Sequence, residues 1–145
     1  MKRVLLFLTI SLLLISCAKE GKSKEEIIKK NITEKLKTNF KNPDSFEFIS
    51  MTIKKTIPVK ERKKTITKEY LDKVKKLNKE LDSPELLHQA QTELDYLEKQ
   101  TDENADAVYY VDFVAKGENS FGGTIQNTYS ATVLNDDKYT VLKVK

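Results

Sequence analysis

One stretch decides the fold: Ala107-Val108-Tyr109-Tyr110-Val111-Asp112-Phe113-Val114-Ala115, which is apolar at nearly every position. Its odd-numbered residues form a continuous apolar face, as expected for a β-strand whose side chains alternate between the two faces of a sheet. Val108, Tyr110 and Val114 make much of the opposite face apolar as well. The stretch therefore predicts a strand with a core on one face and, on the other, either a helical cover or a surface for a partner.

Three further strands are predicted around this one. Residues 46–57 alternate with a period of two, and Pro58 ends the run. Residues 124–134 place apolar side chains on one face and threonine, serine and glutamine on the other, which predicts that this second face meets water. A turn over 135–138 leads into a last strand at 139–144. The short turns predict that the last three strands form an antiparallel meander.

Helical periodicity appears in three places. In the first, Ser23 and Glu26 have the spacing of a capping box. This helix is expected to end near Asn39, because Pro43 disfavours helix before it. Its apolar residues recur every four positions, at Ile28, Ile32, Leu36 and Phe40.

The other two helical segments form a hairpin over about 67–101. Thr67 can cap its first helix, and Asp82-Ser83-Pro84-Glu85 stops that helix and starts the second. The predicted fold class is therefore α+β. An N-terminal helix packs on a four-stranded antiparallel sheet, and the helical hairpin is inserted between strands 1 and 2.

Charges on this hairpin are segregated. Residues 54–79 hold eleven lysines or arginines and three acids, whereas residues 80–106 hold nine acids and one lysine. Opposite charges on adjacent helices explain this asymmetry without a ligand. Alternatively, the charged segment 60–64, predicted as a solvated loop or strand end, docks on anionic head groups or an acidic partner. Its basic residues are Lys60, Arg62, Lys63 and Lys64.

The N-terminus carries Lys2-Arg3, an apolar run over 4–15, and Leu14-Ile15-Ser16-Cys17 with the only cysteine. This layout is typical of an export signal, and the run is shorter than the roughly 20 residues of a membrane-spanning helix. Leu14-Ile15-Ser16-Cys17 resembles the lipobox of bacterial lipoproteins. That resemblance implies cleavage before Cys17 and membrane anchoring through acyl chains on it. The alternative is an ordinary secretory signal with a cysteine near the cut by chance.

The expected organisation is a cleaved signal peptide over 1–16, a lipidated tether over 17–22 and a single α+β domain over 23–145. Ala18, rather than an aspartate, resembles the sorting signal of outer-membrane lipoproteins, and we expect the periplasmic face. The mature chain has 24 basic and 22 acidic residues, so its charge does not favour a nucleic-acid partner. It has no cysteine pair for a disulfide.

Two short motifs resemble a pattern in small exported bacterial proteins of unknown function. The first is Asn42-Pro43-Asp44-Ser45-Phe46, and the second is Asn119-Ser120-Phe121-Gly122-Gly123. The resemblance implies a common fold more than a common activity. The second motif also has the composition of a tight turn, in which glycine supplies positive φ.

Residues suited to catalysis or metal binding are sparse. His88 is the only histidine, and a zinc site requires three or four ligands. Asp102, Asn104 and Asp106 match the start of a calcium-binding loop, but Ala107 and Phe113 occupy its required glycine and glutamate positions. We therefore expect no catalytic residues, no metal and no cofactor.

The function expected from the sequence is a lipid-anchored, non-catalytic binding or assembly module of the bacterial envelope. Its partner is an unknown envelope protein or glycan. Two alternatives are an inhibitor or immunity lipoprotein and a small envelope hydrolase that uses His88. The candidate binding residues are Tyr110, Val108, Val114, Lys60, Arg62, Lys63 and Lys64, with Cys17 as the lipidation site.

Overall fold

The structure is a computed structural model that describes residues 22–37, 40–119 and 121–145. Positions 1–21, including Cys17 and most of the tether, lie outside the described residues, as does the helix end predicted near Asn39. The helices are α1 (Lys24–Lys37), α2 (Val59–Lys63), α3 (Lys68–Leu81) and α4 (Pro84–Glu98), with a 3-10 turn at Pro43–Ser45. The strands are β1 (Glu47–Pro58), β2 (Asp106–Glu118), β3 (Thr124–Leu134) and β4 (Val141–Val144).

The four strands form one antiparallel sheet in the order β1-β2-β3-β4, which confirms the predicted α+β class. The β2–β3 register is unbroken from the pair Val108–Leu134 to the pair Glu118–Thr124. The β1–β2 register is interrupted at three places along β1. The strand that decides the fold is therefore hydrogen-bonded on both sides, with β1 at one edge of the sheet.

One face of the sheet is covered by α1. Glu26 N–H donates to Ser23 Oγ at 3.2 Å, and Ser23 N–H donates to Glu26 Oε2 at 2.9 Å, so the predicted capping box forms. The apolar stripe of α1 then packs on the odd-numbered residues of β2 and on β3. The fully buried residues of this core include Ile28, Ile32, Val111, Ala115 and Val133.

The opposite face is covered by α2, α3 and α4 around Val108, Tyr110, Leu134 and Leu142, but not as far as Val114. The segment between β1 and β2 therefore contains three helices, whereas the sequence predicted a two-helix hairpin. The prediction of a loop or strand end at residues 60–64 is wrong for α2. The Val59 side chain is fully buried, and Val59 N–H donates to Ala105 O at 2.9 Å, so non-local packing holds this charged segment as a helix.

Candidate binding surfaces

The apolar candidates on β2 fall in three different environments. Val108 has no exposed surface, because it lies in the core beneath α2, α3 and α4. Tyr110 is half-buried and packs against the same core. Val114 is also half-buried but lies outside that core. Val108 therefore cannot contact a partner in this fold, and Val114 is the best placed of the three.

Most of the basic candidates on α2 make contacts within the chain. Lys60 Nζ donates to Asn104 Oδ1 at 3.0 Å, and Lys63 Nζ donates to the carbonyl oxygen of Gln100 at 2.9 Å. Lys64 is exposed. Three of the four basic side chains, those of Lys60, Arg62 and Lys63, therefore contact neighbouring segments and hold α2 in place. They do not form a cationic patch that is open to a partner.

Arg62 forms a bidentate ion pair with Glu93 of α4. Its Nε donates to Glu93 Oε1, and its Nη2 donates to Glu93 Oε2 at 3.0 Å. The side chains are only 20% and 6% exposed. Burial would lower the pKa of Arg62, but the hydrogen bond and negative charge of Glu93 outweigh it and raise that pKa above its ordinary value.

The basic and acidic side chains of this region form ion pairs with each other. Besides the Arg62–Glu93 pair, Lys68 Nζ of α3 lies 3.4 Å from Glu98 Oε1 of α4. Basic α2 and α3 thus contact acidic α4, as the intramolecular interpretation of the asymmetry predicts. These contacts give no support for a docking site on head groups.

One half of the sheet face around Val114 is left uncovered by the helices. Val114 pairs with Ser50 on β1 and with Thr128 on β3, so the three side chains share one face. Ser50 and Thr128 are exposed. The neighbouring row contains Asp112, Thr52 and Ser130. We name these six residues the open sheet face. The serines and threonines were not predicted as site residues, because their grouping depends on cross-strand pairing, which for Ser50 and Thr52 follows a register interrupted by bulges.

The first sequence motif contacts the end of β2, directly before the second motif. Glu118 N–H donates to Ser45 Oγ at 2.9 Å, and Asn42 Nδ2 donates to Glu118 Oε2 at 3.0 Å. A Cβ atom on Gly117 would lie 2.7 Å from the Phe40 ring, so this position has room only for glycine unless the ring moves. The first motif is thus hydrogen-bonded to the end of β2, where the β2–β3 turn begins.

The second motif forms a hydrogen-bonded turn that presents an aromatic side chain. Asn119 Oδ1 accepts from Phe121 N–H at 2.9 Å and from Gly123 N–H at 3.0 Å. Gly122 has φ +82°, a conformation that favours glycine. Phe121 is 95% exposed, the most exposed of the large apolar side chains described. The predicted turn is present, although Ser120 lies outside the described residues.

A groove opens beside this turn, between the end of α1 and the edge of β3. Its volume is about 520 Å³. Apolar side chains form much of its wall, at Leu36, Phe40, Ile125, Tyr129 and Val144. Ile125 is 39% exposed, so the groove is accessible from the edge of the sheet.

His88 lies exposed on α4. Within residues 22–37, 40–119 and 121–145, no three histidine, cysteine or acidic side chains are arranged to hold a metal ion. None of the helices in that part of the chain is long and apolar enough to cross a membrane.

In comparisons with known proteins, no family model, no curated protein and no solved structure matches this chain.

Proposed function

We propose that this protein is a lipid-anchored, non-catalytic binding or assembly module of the bacterial envelope. Acyl chains on Cys17 hold it at the periplasmic face of the outer membrane, and its partner is an envelope protein or glycan. The Leu14-Ile15-Ser16-Cys17 sequence supports the anchor. Several acyl chains on one cysteine would make membrane attachment stable, since each buried methylene contributes about 0.8 kcal/mol.

The observation that carries the binding role is the open sheet face. Helices α2, α3 and α4 cover the sheet around Val108 and stop short of Val114. Val114 is flanked by exposed hydroxyl side chains, which resembles the pattern of an apolar centre with a polar rim in protein interfaces. Serine and threonine hydroxyls can both donate and accept hydrogen bonds, as a protein backbone or a glycan requires.

The binding role is tested by capturing partners from solubilised envelopes with tagged, anchored protein, comparing Val114→Lys with wild type. A lysine at the centre of an apolar contact must be desolvated without a charge partner, so we expect capture to fall at least about tenfold. Leu81→Ser is the control, because Leu81 is a 66% exposed apolar residue at the end of α3 and is not part of the open sheet face. Equal capture by Val114→Lys and wild type would exclude this face.

The anchor is tested separately with Cys17→Ser. This change should leave uncleaved precursor and abolish incorporation of labelled fatty acid, because the acylated thiol is missing. Normal processing of the variant would instead indicate an ordinary secretory signal. Since capture depends on the folded domain and acylation on Cys17, either part of the proposal can fail without the other.

A further inference from the structure

Half of the outer edge of β3 has no partner among the described residues. β4 pairs with Ala131–Val133, and Lys145 exchanges backbone hydrogen bonds with Ser130 at 2.9 and 3.0 Å. Because Ser130 directs its N–H and C=O outward, so do the residues at alternate positions before it, Thr124, Gln126 and Thr128. These residues are all exposed. Their outward backbone groups can therefore pair with another strand.

β1, at the opposite edge of the sheet, has features that prevent pairing with a strand of another molecule, and the free edge of β3 lacks them. β1 has register shifts near Ile49 and Lys54, and Lys54 and Lys55 place two charges along it. Bulges and lysines are the usual means of preventing edge-to-edge pairing. The unpaired half of β3 has neither, since its register with β2 is unbroken and positions 119–135 contain no charged residue in a chain that is 33% charged.

The unpaired edge is also self-complementary. Phe121 precedes Gln126 by five positions, and Ala131, which pairs with Val144 at the groove, follows Gln126 by five. Phe121 lies in the turn that precedes β3, at one end of the unpaired edge, and Val144 lies at the other end. A two-fold axis at Gln126 would therefore direct the Phe121 turn of each copy towards the Val144 end of the other copy's groove. The exposed Phe121 side chain and the Val144 end of the groove thus lie at opposite ends of the unpaired edge, as an isologous interface requires.

We propose that two copies of this chain associate through β3, edge to edge and antiparallel, with Gln126 paired to its own symmetry mate. Thr124 pairs with Thr128 of the second copy, and the sheets join into one continuous sheet. Phe121 of each copy enters the groove beside Val144 of the other. The short paired edge indicates an interface below about 1,200 Å², which is typical of weak association. The pairing does not depend on the proposed function, although it would place the two open sheet faces side by side.

Sedimentation of residues 17–145, expressed without the signal peptide and carrying Cys17→Ser, over a series of protein concentrations tests the association. We expect a concentration-dependent dimer. Gln126→Pro removes an outward N–H at a position where an edge strand tolerates proline, and should weaken the dimer at least about tenfold. Phe121→Ser should weaken the dimer to a similar extent, because it removes the aromatic side chain that enters the groove and leaves the strand unchanged. Leu81→Ser, which removes another exposed apolar side chain, should leave the dimer unchanged.

Disulfide trapping in the same Cys17→Ser background tests the register. Directly opposed residues in a hydrogen-bonded antiparallel pair have Cα atoms about 5.5 Å apart, within disulfide range. Gln126→Cys should therefore form a cross-linked dimer on mild oxidation. Thr124→Cys should not, because two Thr124 positions would lie roughly 13 Å apart along the strands.

Several results would overturn the proposal. These are a monomer at every concentration up to about 1 mM, a dimer that Phe121→Ser leaves intact, and equal trapping of the two cysteine variants. If Gln126→Pro fails to fold, Phe121→Ser and the trapping pair still decide the question.

Discussion

Glu93 is the only charged residue that is buried among those the structure describes, and its ion pair with Arg62 joins α2 to α4. Taking both charges out of water is costly, so the pair contributes little net stability, whereas removal of one partner leaves an uncompensated charge. The two side chains differ in exposure, at 20% for Arg62 and 6% for Glu93. An unpaired Arg62 can reach water more easily than an unpaired Glu93 can.

Arg62→Met should therefore be the most damaging single change at this pair, lowering the free energy of unfolding by about 3 to 5 kcal/mol. Glu93→Gln should cost less, because it keeps a hydrogen-bond acceptor for Arg62 and the guanidinium is partly solvated. The double variant Arg62→Met, Glu93→Leu should recover most of the loss. Urea unfolding at neutral pH measures all three, and equal losses from the two single changes would contradict this account.

Tyr109, between α1 and the sheet, predicts how the domain responds to alkali. Burial, assisted by the negative charge of Asp106, raises the pKa of Tyr109 to about 12. An unfolded tyrosine ionises near 10, so the stabilisation is complete below about pH 10 and is lost as pH rises towards 12. Urea unfolding should show a steep loss of stability between about pH 10 and 12 that is shallower in Tyr109→Phe. Identical pH slopes for the two proteins would contradict the assignment to Tyr109.

At the scale of the elements, α3 ends in a left-handed residue that is not glycine. Asp82 has φ 45° and ψ 54°, and its N–H donates to the carbonyl oxygen of Asn78 at 3.0 Å. Glycine adopts this conformation without the steric cost that a Cβ atom imposes, and it is the preferred residue at this end of helices. The α3–α4 turn is therefore a place where the sequence is not optimal for its structure.

Asp82→Gly should raise the free energy of unfolding by roughly 0.5 to 1 kcal/mol, because it relieves this steric cost. Thermal unfolding measures the change. Asp95→Gly, in the interior of α4, is the control and should destabilise by about 1 kcal/mol. If Asp82→Gly is also destabilising, the Asp82 side chain makes a contribution that outweighs the relief of strain.

Element bounds were predictable wherever the signal is local. Thr67 caps α3, with its Oγ1 accepting from Tyr70 N–H, and Pro84 opens α4 as the sequence predicts. The strand 124–134 was predicted with its observed bounds, because alternation and flanking glycines are local as well. These elements follow from short patterns of residues.

Other features depend on contacts between distant residues and were not predictable in the same way. α2 was missed because its charges dominate the local pattern, whereas its position is set by burial of Val59 and by hydrogen bonds to residues 103 and 105. Val108 and Val114 are alike in sequence terms, and only the extent of the helical cover distinguishes the buried residue from the accessible one. The open sheet face and the unpaired edge therefore required the three-dimensional register.

At the scale of the whole molecule, the sheet separates α1 from the open sheet face. α1 packs on the odd-numbered face of β2, whereas Val114 and Thr128 lie on the other face. Antiparallel edge pairing has its two-fold axis perpendicular to the sheet, so both α1 helices of the proposed dimer lie on one face. Under the proposed anchoring at Cys17, the six residues 17–22 would reach at most about 20 Å even if fully extended, so two anchored copies would hold the α1 side towards the bilayer.

This geometry predicts different chemical accessibility on the two faces of the anchored protein. Acylation would block Cys17, so a single introduced cysteine is the reactive thiol. Thr128→Cys on the open sheet face should react with a membrane-impermeant maleimide several-fold faster than Lys30→Cys, whose position on α1 is exposed. In detergent, where no bilayer lies against α1, the two rates should become similar. If Lys30→Cys is as fast as Thr128→Cys on vesicles as well, the domain stands clear of the bilayer and the tether does not orient it.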